Sequence, residues 1–233
     1  MISGLRSWVL LLALGTSLLV LMLSCSDGHV QEIIEKDQRK IKGLTEEVDS
    51  ISKDSLILFS PWEEAFNERS NHHSIQWRFP VGDGQGNPPK GYYNAQGFQD
   101  NFHLGDDWNG TGGGNSDLGD PVFTISKGWV RRAENAGAGW GNVVRVVHQL
   151  REGDEVTYIE SIYAHLDSIH VKSGDFLIDG QQIGTIGNAN GAYYAHLHLE
   201  IRKHAGLPLG GGYSSEHEFH YDPTEFVVGR QKR

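Results

Sequence analysis

Cysteine is almost absent from this chain of 233 residues, because Cys25 is the only one. An intrachain disulfide is therefore excluded. Positive charge is also in deficit: 20 Lys and Arg stand against 30 Asp and Glu, which gives a formal net charge of −10. This balance argues against a nucleic-acid partner, because binding to phosphates requires a basic surface. The length suffices for one domain with a sizeable core plus appendages.

Long apolar runs are equally rare, and the one at residues 8–23 follows Arg6 near the start of the chain. It reads as the central segment of a signal peptide, which we assign to residues 1–24. The run ends in Leu-Met-Leu-Ser before Cys25, which resembles the motif that precedes a lipid-modified cysteine in bacterial lipoproteins. The competing interpretation is an uncleaved anchor, although a spanning helix needs about 20 apolar residues. Both interpretations predict export to the cell envelope and a membrane tether, with Cys25 as the lipid attachment site in the first.

Helical periodicity is confined to a short stretch after the apolar run. Its apolar residues are spaced alternately three and four apart, with Asp37 at one core position, and they are Val30, Ile34, Ile41, Leu44, Val48 and Ile51. This is a heptad pattern of about three repeats, which is marginal for an isolated coiled coil. We assign residues 25–56 to a tether and a short helical segment. Residues 29–56 either mediate self-association or contact with a protein partner, or form a single helix on the following domain.

Residues 57–98 lack a clear period and carry several turn signals, so they are assigned to an irregular N-terminal extension. Their aromatic residues, which include Trp77 and Phe79, are more typical of packing than of a binding platform. The extension could wall a substrate groove or block it.

Beyond residue 120 the sequence favours β-structure. Segments rich in β-branched or aromatic residues are separated by Gly, Asn, Asp and Ser, and they span residues 122–126, 128–134, 142–148, 156–165, 182–186 and 195–202. We predict a mainly β fold, a compact antiparallel sheet or barrel-sandwich, in a domain of residues 99–228.

Three separated segments supply residues that a catalytic zinc requires. His196 and His198 flank Leu197 in an alternating run, so their side chains share one face of a strand. His103 and Asp107 are four residues apart, and a short turn or a bent strand end could bring both around one ion. A catalytic zinc takes three protein ligands and leaves its fourth position to water.

His103, Asp107 and His198 would form such a ligand set, with Asp106 as the rival of Asp107. His165 and His196 would remain unbound, where catalysis needs groups that transfer protons or stabilise an oxyanion. Tyr163 lies two residues before His165, and it is a candidate for orienting a histidine or the oxyanion, or for simply filling the core.

These motifs resemble the lysostaphin-type zinc metallopeptidases, which cut peptide bonds in peptidoglycan. The family's His-x-x-x-Asp falls on His103 and Asp107, its central His on His165, and its closing His-x-His on His196 and His198. The resemblance covers roughly residues 99–205. It implies the family's duplicated-hybrid-motif-like fold, a single Zn²⁺ held by the first two residues and His198, and His165 and His196 as catalytic residues. The loop of residues 108–120 is longer and richer in glycine than the family pattern.

Two functions follow from the sequence. The first is an exported zinc metalloendopeptidase that acts on cross-links or stem peptides of bacterial peptidoglycan. The second is a non-catalytic envelope module that binds peptidoglycan or regulates a cell-wall hydrolase, and the heptad segment and acidic charge would suit that role. The intact ligand set favours the enzyme, whereas the bond cut and the separate roles of His165 and His196 stay open.

Overall fold

A computed structural model describes residues 60–231 except residues 70 and 138, together with Lys36, Gln38 and Lys42. The chain divides into two compact units, Met1–Phe59 and Ser60–Arg233. In the first unit, the three described residues are helical. The predicted signal segment, Cys25 and the rest of the heptad pattern lie outside the described residues. Within the part of the chain that is described, no helix has the length and apolarity needed to span a membrane.

The second unit is built mainly from antiparallel strands, as the sequence predicts. The strands are β1 (Tyr92–Gln96), β2 (Asp106–Gly110), β3 (Pro121–Phe123), β4 (Gly128–Asn135), β5 (Asn142–Glu152), β6 (Glu155–Leu166), β7 (Ser168–Ile169), β8 (Phe176–Leu177), β9 (Gln182–Thr185), β10 (Leu197–Arg202) and β11 (His220–Tyr221). Two short helices, α1 (Pro61–Asn67) and α2 (Pro223–Val228), and a 3₁₀ turn (Asp100–Phe102) accompany them. The large sheet has the order β1-β2-β10-β6-β5-β4-β8, with β11 also paired to β10, and a smaller sheet has the order β3-β9-β7.

The longest strands, β5 and β6, form the middle of the large sheet as a hairpin that turns at Gly153. The run Asn142–Glu152 is rich in valine, and its residues are buried on both faces from position 143 to 150. Both faces are covered, so the apolar residues of this strand are not confined to alternate positions, and Arg145, His148 and Gln149 are buried among them. This hairpin forms the centre of the large sheet, and β10 pairs directly with β6.

The segment that the sequence assigns to an irregular extension contributes to the same core as the strands that follow it. Trp77, Phe79 and Val81 are buried in the main hydrophobic cluster, and β1 forms the edge of the large sheet. Residues 78–80 form no regular strand, yet Arg78 N–H donates to the Ile125 carbonyl and the Pro80 carbonyl accepts from Phe123 N–H. The compact unit that contains this segment and the strands spans Ser60–Arg233, and the bounds of the domain at residues 99–228 stay a prediction.

A buried polar network crosses the core near the small sheet. The His148 ring bonds to the Lys127 carbonyl through Nδ1 and to Ser161 Oγ through Nε2, both at 2.7 Å. The Tyr163 hydroxyl is 3.0 Å from Ser161 Oγ and accepts a bond of 2.9 Å from Ile125 N–H. Tyr163 is fully buried, and these partners place its hydroxyl in the core. The suggestion that Tyr163 orients a catalytic histidine is corrected accordingly, because its hydroxyl is already bonded elsewhere.

We expect His148 to make the fold sensitive to acid. Burial lowers the pKa of His148 from 6.5 to about 4, so the unfolded chain takes up a proton before the folded chain does. The contribution of neutral His148 to the free energy of unfolding is therefore complete above pH 6.5. It is lost as the pH falls toward 4, and the total loss is about 3 kcal/mol. Urea unfolding at pH 7 and pH 4.5 should show a smaller pH-dependent loss for His148→Gln than for the unaltered chain. The exposed His204→Gln should show the full loss, and an equal loss in both variants would contradict the assignment.

Candidate metal centre

Strand pairing delivers the candidate ligands to one place. His198 on β10 lies directly opposite Asp107 on β2, and on the other side it pairs with Ala164 of β6. His103 precedes β2 and forms an isolated bridge with Tyr213. Gly105, between the two ligands of that segment, lies so close to β10 that an added Cβ would overlap the Leu199 carbonyl oxygen. Glycine at this position therefore allows β2 to approach β10.

The donor atoms of three predicted ligands converge. His103 Nε2 and His198 Nδ1 are 2.9 Å apart, and His198 Nδ1 is also 2.9 Å from Asp107 Oδ1. The third separation, from His103 Nε2 to Asp107 Oδ1, is 3.4 Å. Ligand atoms at zinc distances on a tetrahedron are separated by about 3.4 Å. The triangle of donor atoms is therefore close to the size that a tetrahedral zinc requires.

The neighbouring carboxylate, Asp106, points elsewhere. Its Oδ2 accepts a bond of 2.6 Å from Thr224 Oγ1, and its Oδ1 accepts one of 3.1 Å from Phe98 N–H. Adjacent side chains of a strand point to opposite faces, so only one of Asp106 and Asp107 can face His198. Asp107 therefore lies at the cluster, whereas Asp106 links α2 to the segment before β2 through its two hydrogen bonds.

Electrostatics at the cluster favour a cation. Burial alone would raise the pKa of Asp107, but the hydrogen bonds with His103 and His198 outweigh it and hold that pKa far below its usual range. Burial would lower the pKa of His198, but Asp107 and Glu200 together raise it to about 9. The two carboxylates thus favour positive charge at the position of His198. Two imidazole nitrogens and a carboxylate oxygen form a donor set that suits zinc, so the residues fit this metal.

His165 and His196 flank the cluster, with their ring centroids 4.7 Å apart. Nδ1 of His165 is 3.2 Å from the Trp140 carbonyl, and Nδ1 of His196 is 2.8 Å from the Tyr194 carbonyl. A carbonyl can only accept, so each Nδ1 carries a proton and donates it. His196 Nε2 is 3.8 Å from Asp107 Oδ2.

The His165 backbone adopts a left-handed conformation, with φ of 62°. This conformation is uncommon outside glycine, and it interrupts the alternation of β6 beside the bulge between residues 142 and 144. The backbone N–H of His165 also donates to the Trp140 carbonyl, at 2.9 Å. Burial, followed by the charges of His198 and His196, lowers the pKa of His165 to about 3. The ring is therefore neutral at physiological pH.

The cluster lies at the floor of an open cleft of about 600 Å³. One wall consists of three glycines at positions 210–212, and the others carry aromatic side chains, Trp140, Tyr193 and Tyr213. The tyrosines are about half exposed. A second depression shares Asp107, Tyr193 and His196 with the cleft and extends past Asn109 and Asn115. Asn115, in the glycine-rich loop after β2, therefore lies in the wall of this second depression.

Several residues of the site had no assignment from the sequence. Glu200 extends the alternation of His196 and His198 by one more step, and that spacing could have identified it. Trp140, Tyr193 and Tyr213 come from loops, and they reach the cleft through tertiary contacts that no local pattern encodes. The Trp140 indole N–H donates to the Gly210 carbonyl at 3.1 Å, which joins two walls of the cleft.

The stretch of sequence that carries the cluster matches a known family. The model of peptidase family M23 matches residues 103–209. The chain is similar to lysostaphin of Staphylococcus simulans, at 28% identity over 138 residues, which cover 58% of this chain and 24% of that protein. It is also similar to lipoprotein NlpD of Yersinia enterocolitica, at 36% identity over 84 residues, which cover 36% of this chain and 78% of that protein.

Among solved structures, lysostaphin from Staphylococcus simulans is similar, at 25% identity and a TM-score of 0.41. The alignment covers 68% of this chain and 54% of that one. The chain spans about a quarter of the length of the lysostaphin sequences that it matches.

Proposed function

Because the chain belongs to peptidase family M23, we propose that it is an exported zinc metalloendopeptidase that hydrolyses peptide bonds in bacterial peptidoglycan. The observation that carries this proposal is the convergence of His103, Asp107 and His198 at the floor of an open cleft. Zinc held there supplies an activated water at neutral pH and polarises the scissile carbonyl as a Lewis acid. The substrate is a cross-link or a stem peptide.

His165 is the residue that we assign to proton transfer. Its ring is neutral, its Nδ1 proton is held by the Trp140 carbonyl, and its Nε2 therefore retains a lone pair. A neutral imidazole in this tautomer can accept the proton of the attacking water and then pass it to the leaving amine. The left-handed backbone at residue 165 sets the direction of the ring.

His196 has a different neighbour and hence a different role. Its Nε2 is 3.8 Å from Asp107 Oδ2, so it lies beside the metal cluster in the lining of the cleft. An imidazolium beside the cleft can donate a hydrogen bond to the oxyanion that develops on the substrate carbonyl. We therefore assign His196 to oxyanion stabilisation.

The shape of the cleft supports a slender peptide as substrate. Glycines at positions 210–212 present backbone without side chains, so an extended chain can approach closely. Tyr193 and Tyr213 leave apolar ring surface exposed on either side. Asp107 is the one acidic or basic residue other than histidine among the residues that line the cleft, and it faces the metal cluster. Selectivity would therefore depend on shape and backbone contacts more than on charge.

We place the protein in the cell envelope, tethered to a membrane through Cys25 or through an uncleaved N-terminal anchor. One relative, from Yersinia enterocolitica, is named a lipoprotein, and this supports the first form. Peptidoglycan peptides are the proposed partner of the cleft, and residues 29–56 are the proposed site of self-association or of contact with a protein partner.

The test combines zinc analysis with an assay on purified peptidoglycan. The full chain should contain one zinc ion and should release soluble fragments, and a chelator should stop the release until zinc is restored. Mass analysis of the fragments would identify the bond that is cut. Zinc binding without cleavage of any peptidoglycan would instead favour the non-catalytic envelope module. A chain that does not bind zinc would refute the proposed enzyme.

A further inference from the structure

A fully buried carboxylate lies directly behind the metal cluster. Glu200 follows His198 by two positions on β10, so both side chains point to the same face of the strand. Glu200 Oε1 is 3.3 Å from His198 Nε2, the ring nitrogen that faces away from the cluster. The other ring nitrogen, Nδ1, is the one that meets His103 and Asp107.

The two oxygens of Glu200 have separate partners. Oε2 accepts two bonds from the Arg202 guanidinium, of 2.9 Å from Nε and 2.8 Å from Nη2. His220 Nε2 is also 3.7 Å from Oε2. Arg202 is nearly fully buried and donates further to the Pro208 and Leu209 carbonyls. The carboxylate is therefore held in place by a fixed cation, and Oε1 is left to accept from His198.

From this geometry we propose that Glu200 is a positioning residue for the metal ligand His198. It accepts the Nε2 proton of His198, which fixes the ring in the tautomer whose Nδ1 lone pair is directed at the metal. A partner of this kind orients a ligating imidazole and increases its basicity. The inference rests on the proposed zinc site, and it adds a residue that touches neither the cleft nor the substrate.

Glu200→Gln is the informative substitution because an amide has only one accepting oxygen. Arg202 donates two bonds, so the amide oxygen of the variant should turn toward Arg202. The amide NH₂ group would then face His198 Nε2 and donate to it. This arrangement favours a proton on Nδ1, where the zinc should bind. The size of the side chain is unchanged, so the effect is on the tautomer rather than on packing.

A matched control lies on the adjacent strand. Glu160 on β6 is also fully buried, and it accepts bonds from Arg145, one of them 3.1 Å from Nε to Oε1. It lies in register with Arg202, and Arg145 donates to the carbonyl of Leu207 in the same loop that Arg202 holds. Its partners at hydrogen-bond distance are Arg131, Arg145 and Gly206. Glu160→Gln thus perturbs an equivalent buried ion pair away from the metal cluster.

The experiment measures the zinc dissociation constant of the full chain by competition with a chromophoric chelator. We expect Glu200→Gln to weaken zinc binding by about 10- to 100-fold and Glu160→Gln to leave it within about 2-fold. Both substitutions should lower the unfolding temperature of the zinc-free protein, so a loss of stability alone cannot explain a difference in zinc affinity between the two variants. Equal zinc affinity in the unaltered chain and in folded Glu200→Gln would overturn the inference.

A second measurement needs no variant and covers the case in which Glu200→Gln does not fold. In the zinc-loaded unaltered chain, ¹⁵N NMR of the His198 ring should show a protonated Nε2 whose proton exchanges slowly with water. A deprotonated Nε2 would refute the positioning role. These outcomes differ from failure of the proposed function, in which the unaltered chain itself would bind no zinc or would cleave nothing.

Discussion

Replacement of His198 by alanine should abolish zinc binding and reduce peptidoglycan cleavage by at least about 10³-fold. His198 Nδ1 lies within 2.9 Å of the donor atoms of both His103 and Asp107, so its loss removes the group that joins the triangle. Zinc contributes several kcal/mol to the transition state, and about 4 kcal/mol corresponds to a factor of 10³ in rate. The measurements are metal content by atomic emission and fragment release from purified peptidoglycan.

The control for this prediction is His204→Ala. His204 is exposed and contacts Phe219 outside the cluster, so its removal takes away an imidazole without altering the site. The variant should keep one zinc ion and nearly full activity. If His198→Ala kept both zinc and activity, the ligand assignment would be wrong, and with it the proposed catalytic centre.

His165→Ala should separate catalysis from metal binding. The ring lies beside the cluster, 5.6 Å from that of His198 between centroids, and outside the ligand triangle. The variant is therefore expected to bind zinc normally while kcat falls by about 10²- to 10⁴-fold, which is the usual contribution of a positioned proton acceptor. Steady-state kinetics on a soluble peptide and a zinc titration check both parts.

His196→Ala provides the comparison for His165→Ala. If His165 transfers protons and His196 stabilises the oxyanion, both variants lose kcat, but only His165→Ala should lose the acidic limb of the pH–rate profile that the proton acceptor produces. A profile of unchanged shape in His165→Ala would show that another group accepts the proton. Loss of zinc in His165→Ala would mean that the ring supports the metal rather than the proton.

Much of this site was predictable because its chemistry lies in local spacing. The alternation at positions 196 and 198 placed both histidines on one strand face, and the structure has them there on or beside β10. The spacing of four between His103 and Asp107 predicts a short turn or a bent strand end, and in the structure Asp107 lies near the start of β2. Both geometries bring the two side chains together, so the sequence pattern predicted their proximity without the exact backbone.

Other parts of the fold could not be predicted from local patterns. β1 and β2 are rich in Asn, Asp, Gly and Gln, which are poor strand formers. They form strands because β2 pairs with the edge of β10, and β1 pairs in turn with β2. Trp77 and Phe79 lie in backbone without regular structure, and their burial depends on strands that are distant in sequence. Tyr163 shows the limit of local spacing: the period of two predicts that it shares a strand face with His165, but the left-handed backbone at residue 165 breaks that period.

The pairing of β2 with β10 has a consequence for the order in which the protein becomes active. His198 and Asp107 are 91 residues apart in the chain, and β10 occupies the position between β2 and β6 in the sheet. Contacts of such long sequence separation form slowly, because a large loop must close before any of them is gained. During synthesis, the ligand triangle stays incomplete until residues 197–202 have emerged and docked. The proposed metal centre would therefore be completed late in folding, and unfinished chains would lack the proposed activity.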